Sequence, residues 1–211
     1  MASGGIEVTE LRVREARTAA RVLAAAFLDD PVWTAIGPRR RAHRAYANRV
    51  AFWGIVHGSV RGGGRIRVAR EAGGEVAGVT IAFAHGRWPL PDRSFAWELP
   101  WVFAAGPGPV ARGMRDDSML RLSHATHPHN YLWFLGVEPS RQGNGLGRAL
   151  MADLHGWSDP TGLGVFLETS TRDNVAFYGS LGYRPGRELR LPSGAEMWQM
   201  ERIGTDTALG S

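Results

Sequence analysis

Residues 131–157 read YLWFLGVEPSRQGNGLGRALMADLHGW, and this stretch decides the fold of the chain. Its first seven residues are almost all apolar and favour a buried strand, whereas the residues from 146 onward have the spacing of a helix. Between them, Gly143, Gly145 and Gly147 leave the backbone without Cβ atoms, so successive N–H groups can approach an anion. The positive N-terminal end of the helix adds to this attraction. The sequence therefore predicts a strand, a pyrophosphate cradle and a helix.

Two residue types are missing from the chain, and their absence excludes several kinds of chemistry. The 211 residues include no lysine, so all 25 basic residues are arginine, and they include no cysteine. Without lysine there is no Schiff-base chemistry and no P-loop. Without cysteine there is no thiol nucleophile, no disulfide and no thiolate metal site. A dinucleotide-binding fingerprint is also disfavoured, because Arg148 stands where that motif has a glycine.

The remaining sequence alternates between strand and helix patterns, which favours an α/β or α+β fold in a single domain, residues 1–211. We expect residues 1–5 and 204–211 to be flexible, and residues 86–128, which are rich in proline and tryptophan, to form a variable helical insert. The predicted strands are 8–13, 65–70, 75–85, 130–137, 165–169, 183–191 and 196–202, and the predicted helices are 15–28, 38–60, 95–105, 110–124, 146–157 and 174–181.

Two motifs in this order resemble those of the GNAT superfamily of N-acetyltransferases. Residues 142–147, QGNGLG, match its acyl-CoA loop Q/R-x-x-G-x-G/A, and residues 174–183, NVAFYGSLGY, match its second signature N-x-x-x-[FY]-x-x-x-G-[FY]. Residues 21–27 and 165–170 further resemble puromycin N-acetyltransferase-like members. The resemblance implies a mixed, mostly antiparallel sheet that is splayed at its central strand near residues 135–137 and flanked by helices.

The resemblance also implies acetyl-CoA as co-substrate. The glycine loop would bind its pyrophosphate, with arginines nearby, and the preceding strand would bind its pantetheine arm. Gly136 indicates a close approach of another group or a bulge. Asn174 is either a helix N-cap or a hydrogen-bond partner of the cofactor arm. The expected cofactor-binding residues are Leu135, Gly136, Val137, Arg141, Gln142, Gly143, Asn144, Gly145, Leu146, Gly147, Arg148 and Asn174.

Three side chains are candidates for the acid–base chemistry. The second signature places Tyr178 as the general acid, since a phenol stays protonated at neutral pH; otherwise it is a core aromatic. Glu168 follows an apolar run in its strand, where a carboxylate needs a partner or a task, so it is a candidate base unless it faces solvent at an edge. His129 is the second candidate base. It forms a cluster with His124 and His127 whose uneven spacing fits no metal-ligand pattern, so we expect no metal.

We therefore predict direct transfer of an acetyl group to the amine of a small molecule, bound among Trp33, Trp88, Trp97 and Trp101. Protein or peptide N-acetylation is the first alternative, and a CoA-responsive regulator or a nucleic-acid-binding protein is the second. The net charge of +5 permits nucleic-acid binding, but arginine in place of every lysine reflects genome composition better than phosphate contacts. We expect a cytoplasmic protein with no membrane segment, and the sequence leaves a homodimer open.

Overall fold

A seven-stranded mixed sheet organises the chain, which a computed structural model describes for residues 5–89 and 99–204. The strand order is β1-β2-β3-β4-β5-β7-β6. Only β4 and β5 pair in parallel, and the other neighbours are antiparallel, as predicted. The strands are β1 (Ile6–Glu10), β2 (Arg65–Glu71), β3 (Gly78–Phe83), β4 (His129–Val137), β5 (Gly164–Thr169), β6 (Arg184–Arg190) and β7 (Glu196–Arg202).

Seven α-helices lie in the described part of the chain. They are α1 (Ala16–Ala26), α2 (Pro31–Ile36), α3 (Arg41–Arg61), α4 (Leu99–Ala105), α5 (Pro107–Ser123), α6 (Leu146–Ser158) and α7 (Arg172–Gly179). Successive side chains of each strand point to opposite faces of the sheet, and a layer of helices covers each face. Val68 packs with α1 and α3 in the main core cluster, whereas its neighbour Arg67 binds Asp153 of α6.

The ion pairs of Asp153 fix α6 against the sheet. Its carboxylate is 2.7 Å from Arg65 and 2.9 Å from Arg67, and all three side chains are largely buried. The two guanidinium groups hold the pKa of Asp153 below its ordinary value against the opposing effect of burial. Because α6 follows the glycine loop, these contacts also fix the position of that loop.

Several predicted boundaries in the first third of the chain are wrong. The first strand is Ile6–Glu10 instead of 8–13, and the helix predicted from residue 38 begins at Arg41. Helix α2 is absent from the prediction, because Asp30 and Pro31 were taken only as the end of the preceding helix. Asp30 is instead the N-cap of α2, and its carboxylate accepts hydrogen bonds from the N–H groups of Val32 and Trp33.

The sheet splays between β4 and β5. The two strands pair only from His129–Leu132 to Gly164–Leu167. At the next residue, Trp133, β4 has a bulge against β3, since Ile81 pairs with Phe134 and Ala82 with Leu132. A bulge bends and twists a strand, so β4 turns away from β5 here. The splay therefore begins at Trp133, earlier than the predicted residues 135–137.

The insert predicted for residues 86–128 contains α4 and α5. The predicted helix 95–105 is seen as α4 from Leu99, because residues 90–98 lie outside the described part, as do 1–4 and 205–211. Helix α5 begins at Pro107, earlier than the predicted residue 110, since proline is favoured in a first helical turn. Asp116 of α5 accepts a hydrogen bond of 2.9 Å from the N–H of Ser193 in the β6–β7 turn. Within the described ranges, no helix is long and apolar enough to cross a membrane.

Candidate active site

A cavity of about 650 Å³ opens where β4 and β5 separate. The two strands supply one part of its wall, and most of the rest comes from α2, α3, α4, α5 and α7. Most of the lining is aromatic or aliphatic, with a few carboxylates. The residues that carry its chemistry are Phe27, Asp30, Trp33, Trp88, Trp101, Asp117, Arg121, Tyr131, Trp133, Phe134, Leu135, Glu168, Ser170, Asn174 and Tyr178.

The glycine loop lies between the end of β4 and the N-terminus of α6. Gly143 and Gly145 have φ angles of +82° and +85°, which residues with a Cβ rarely adopt, and Gly145 is the N-cap of α6. The amide of Gln142 donates a hydrogen bond of 3.2 Å to the carbonyl oxygen of Val137, which closes the loop back onto β4. Leu146 is fully buried at the start of the helix. The backbone therefore has the form that an anion cradle requires.

The charged residues of this loop have protein partners in the structure. Arg141 forms an ion pair with Glu71, and the amide of Asn144 donates to the same carboxylate at 3.3 Å. Arg148 bonds the hydroxyl of Ser180 at 3.0 Å. These contacts tie the loop to the β2–β3 hairpin on one side and to the end of α7 on the other. The predicted contact of Arg141 and Arg148 with a pyrophosphate stays a prediction.

The residues of β4 predicted to bind the pantetheine arm lie in different surroundings. Leu135 lines the cavity, whereas Gly136 lies beneath α1. A Cβ at Gly136 would come within 2.9 Å of Leu23 and 3.0 Å of Ala26, so the glycine permits a close approach of the helix. The bulge suggested for this residue is located at Trp133 instead.

Glu168 lies on β5 with its side chain only 5% exposed and lines the cavity, so it is not an edge residue facing solvent. The hydroxyl of Tyr131 donates a hydrogen bond of 2.7 Å to Glu168 Oε2. Within the described residues, Oε1 accepts no hydrogen bond, and His124 Nδ1 lies 3.6 Å from it. Burial and the neighbouring carboxylate raise the pKa of Tyr131 well above its ordinary value, so Tyr131 stays a donor.

Tyr178 of α7 is buried and lines the same cavity. Burial raises the pKa of its phenol, which therefore stays protonated at neutral pH. Among the hydrogen bonds of the described residues, none involves its hydroxyl group. Asn174, on the same helix, also lines the cavity but is not the N-cap. That role belongs to Thr171, whose side chain accepts a hydrogen bond from the N–H of Asn174 at 3.2 Å.

The histidine cluster lies behind Glu168. His129 is the first residue of β4, and it is not among the residues that line the cavity. Burial lowers its pKa to about 4. Its Nε2 is 3.1 Å from Nε2 of His124, which is the histidine next to Glu168. Within the described residues, no three His, Asp or Glu side chains are arranged to hold a metal ion.

Aromatic side chains dominate the rest of the wall. Trp33, Trp88 and Trp101 line the cavity, and their contact with an acceptor stays a prediction; Trp97 lies outside the described residues. Trp33 contacts Phe52 with ring centroids 4.6 Å apart, and Trp88 contacts Trp133 at the same distance. The rings thus form a continuous apolar surface around the carboxylates.

Asp30 and Tyr131 were not predicted as site residues, and within the histidine cluster His129 was chosen as the base instead of His124. Asp30 lines the cavity and accepts a hydrogen bond from Ser170, and burial raises the pKa of its carboxyl. Its position before Pro31 is a helix-start signal that could have been recognised. Tyr131 and His124 reach Glu168 only through the pairing of β4 with β5 and the docking of α5, which no local pattern reveals.

Comparisons with known proteins agree with this geometry. Residues 111–185, which include both motifs, match the family described as acetyltransferase (GNAT) domain. A Corynebacterium glutamicum structure described as histone acetyltransferase HPA2 and related acetyltransferase is 21% identical with a TM-score of 0.69, covering 94% of this chain and 96% of its own. Two further structures cover 94% of this chain. PaiA N-acetyltransferase from Thermoplasma acidophilum, in complex with coenzyme A, is 12% identical over 99% of its length (TM-score 0.56). Drosophila melanogaster polyamine N-acetyltransferase is 17% identical over 100% of its length (TM-score 0.54).

The chain has the GNAT fold, and the domain match together with this fold supports an acetyltransferase of the GNAT type. The relatives carry names of both protein and small-molecule acetyltransferases, so they leave the class of acceptor open. The resemblance to puromycin N-acetyltransferase-like members stays a prediction.

Proposed function

We propose that this protein transfers the acetyl group of acetyl-CoA to the amine of a small molecule by direct attack on the thioester. One observation carries the proposal: Glu168 and Tyr178, a buried carboxylate and a buried phenol, line one cavity at the splay of β4 and β5. A carboxylate that can take a proton and a phenol that can give one are what aminolysis of a thioester requires. The chain contains no cysteine, which supports a route without a thiol acyl-enzyme.

The glycine loop supports acetyl-CoA as the donor. Nothing lies within 4 Å of a Cβ built on Gly143, so the backbone there is open to an approaching phosphate. The N–H groups at the start of α6 and its positive end would hold the pyrophosphate without a lysine. Leu135 and Asn174 line the cavity beyond the loop and would contact the pantetheine arm.

The proton balance assigns the two side chains different steps. An ammonium group binds in the cavity and loses one proton to Glu168, and the free amine attacks the thioester carbonyl. The tetrahedral intermediate then collapses, the C–S bond breaks, and the thiolate takes a proton from Tyr178. The nitrogen loses its second proton to the tyrosinate, so one proton is released to solvent per turnover.

The insert supports a small acceptor. Residues of α4 and α5, among them Trp101, Gly113, Met114 and Leu120, line the cavity opposite the sheet. They reduce the space for an extended peptide, whereas the aromatic rings and carboxylates suit an apolar or aromatic amine that carries a positive charge.

An acetylation assay with labelled acetyl-CoA tests this function. The acceptors are a panel of small amines that includes puromycin, polyamines and arylalkylamines, and in a parallel reaction the proteins of a cell lysate. We expect label in a small-molecule N-acetyl product and free CoA in equal amount. Label in protein alone would support protein acetylation instead. No product, together with no binding of acetyl-CoA by titration calorimetry, would contradict the proposal.

A further inference from the structure

Two neighbouring histidines lie behind the buried Glu168 and are not among the residues that line the cavity. His124, the C-cap residue of α5, lies with Nδ1 3.6 Å from Glu168 Oε1 and with Nε2 3.1 Å from His129 Nε2. His129 Nδ1 lies 2.7 Å from the carbonyl oxygen of His127. The ring of His124 also packs edge-on against Tyr131 and Phe166, which fixes its orientation.

The backbone carbonyl determines where the protons of both rings lie. A carbonyl oxygen only accepts, so His129 Nδ1 carries a hydrogen and donates it. Burial lowers the pKa of His129 to about 4, so the ring is neutral near pH 7 and its Nε2 is an acceptor. His124 must then donate from its own Nε2. A neutral His124 therefore directs the lone pair of Nδ1 towards Glu168 Oε1.

In the neutral form of His124, two acceptors thus face each other across 3.6 Å. Glu168 Oε1 is buried and accepts no hydrogen bond from the described residues, which is costly for a carboxylate oxygen. One added proton would satisfy both atoms, because an imidazolium at His124 donates to Oε1 from Nδ1. The arrangement is complete only after a proton has been taken up.

We propose that His124 acts through Glu168 as a proton relay, so that the pair, with its tautomer set by His129, receives the proton of the attacking ammonium. This inference rests on the proposed function. The N–H bond of the ammonium breaks, its electron pair stays on nitrogen, and the proton passes through the carboxylate to His124 Nδ1. The side chain of His124 is 16% exposed, against 5% for Glu168, so the imidazolium can release the proton to water.

The variant His124→Asn tests the relay, because asparagine can still donate to His129 Nε2 but cannot accept a proton. The acceptors are benzylamine, which is an ammonium at neutral pH, and phenylhydrazine, which is uncharged. We expect kcat with benzylamine to fall about 10²-fold and kcat with phenylhydrazine to change little. His43→Asn is the matched control, since His43 is exposed and bonds the carbonyl of Ala104. An equal loss with both amines would contradict the relay and indicate a structural role.

The tautomer can be measured without turnover. In protein labelled with ¹⁵N-histidine, the two-bond correlations of each ring show which nitrogen carries the hydrogen, and His124→Asn identifies the signal. We expect the neutral form of His124 to carry its hydrogen on Nε2. A neutral form with the hydrogen on Nδ1 would overturn the relay. Absence of acetylation by the wild-type protein would instead contradict the proposed function, so the two failures are distinguishable.

Discussion

Tyr178 is suited to protonate a leaving group because its hydroxyl donates no hydrogen bond to another group in the described part of the protein. Its ring contacts Phe177 and Tyr183, with centroids 5.2 and 5.6 Å away, while its hydroxyl has no hydrogen-bond partner in the described part of the protein. Burial raises the pKa of the phenol. In the proposed reaction the thiolate forms in the same cavity, so it is a favourable destination for the proton.

The variant Tyr178→Phe is expected to lower kcat about 10²-fold and leave the affinity for CoA nearly unchanged. Phenylalanine keeps the ring contacts and removes only the acid. The rate is measured as release of free thiol, and the affinity by titration calorimetry. Tyr183→Phe serves as the control, because that hydroxyl lies 3.1 Å from His155 Nε2 and outside the cavity. An unchanged kcat in Tyr178→Phe would show that another group is the acid.

A single residue of the site could be predicted where a polar or charged side chain stands in an apolar stretch of sequence. Glu168 was recognised because a carboxylate inside an apolar strand is costly without a partner. Its partner Tyr131 could not be recognised, because the hydrogen bond spans 37 residues and depends on the register of β4 against β5. His129 was chosen as a base for its closeness to the strand, but His124, five residues earlier, lies next to the carboxylate.

At the scale of an element, Gly145 and Gly147 before and in the first turn of α6 differ in why a glycine stands there. Gly145 is the N-cap of α6 with φ +85°, and a Cβ there would lie 3.4 Å from Ile6. Gly147 lies in the first helical turn without a positive φ, and its Cβ would be in ordinary contact with Phe177 at 3.5 Å. Alanine at Gly145 therefore adds backbone strain, whereas alanine at Gly147 adds only the bulk of a methyl group.

Gly145→Ala is expected to lower the free energy of unfolding by about 1–2 kcal/mol, because alanine must adopt a left-handed conformation. The same strain shifts the cradle and weakens CoA binding. Gly147→Ala is expected to change the free energy of unfolding by roughly 0.5 kcal/mol or less, since alanine suits a helix. Urea unfolding and calorimetry with CoA measure the two quantities. Equal destabilisation by both substitutions would argue against a strained Gly145.

Elements with a strong local pattern were predicted well, and the others were not. The strand, loop and helix of residues 131–157 follow from apolar runs and glycine spacing. The six-residue helix α2 was missed because the Asp-Pro pair can end one helix or begin another. The start of the splay at Trp133 depends on a bulge in the pairing of β3 with β4, which only the assembled sheet determines.

For the whole molecule, the division of the sheet creates the site. Only four residue pairs join β4 to β5 in the sheet, and the cavity occupies the space where this pairing stops. Helices α4 and α5 then cover that space from outside the sheet. Under the proposed function the donor binds at the glycine loop and the acceptor beneath the insert, and the histidine cluster lies where the strands still pair.

The buried position of His129 predicts how the stability of the whole protein depends on pH. Unfolded His129 titrates near its ordinary value of 6.5, whereas in the folded protein its pKa is about 4. Between these values the unfolded chain binds the proton and the folded protein does not, so the free energy of unfolding falls as pH falls. The loss attributable to His129 is about 1–3 kcal/mol, complete only below pH 4.

Urea unfolding between about pH 7 and pH 4 measures this loss of stability in wild type and in His129→Asn, where other groups contribute alike. The variant should lose less stability than wild type over this range, and parallel curves would show that His129 is protonated in the folded state.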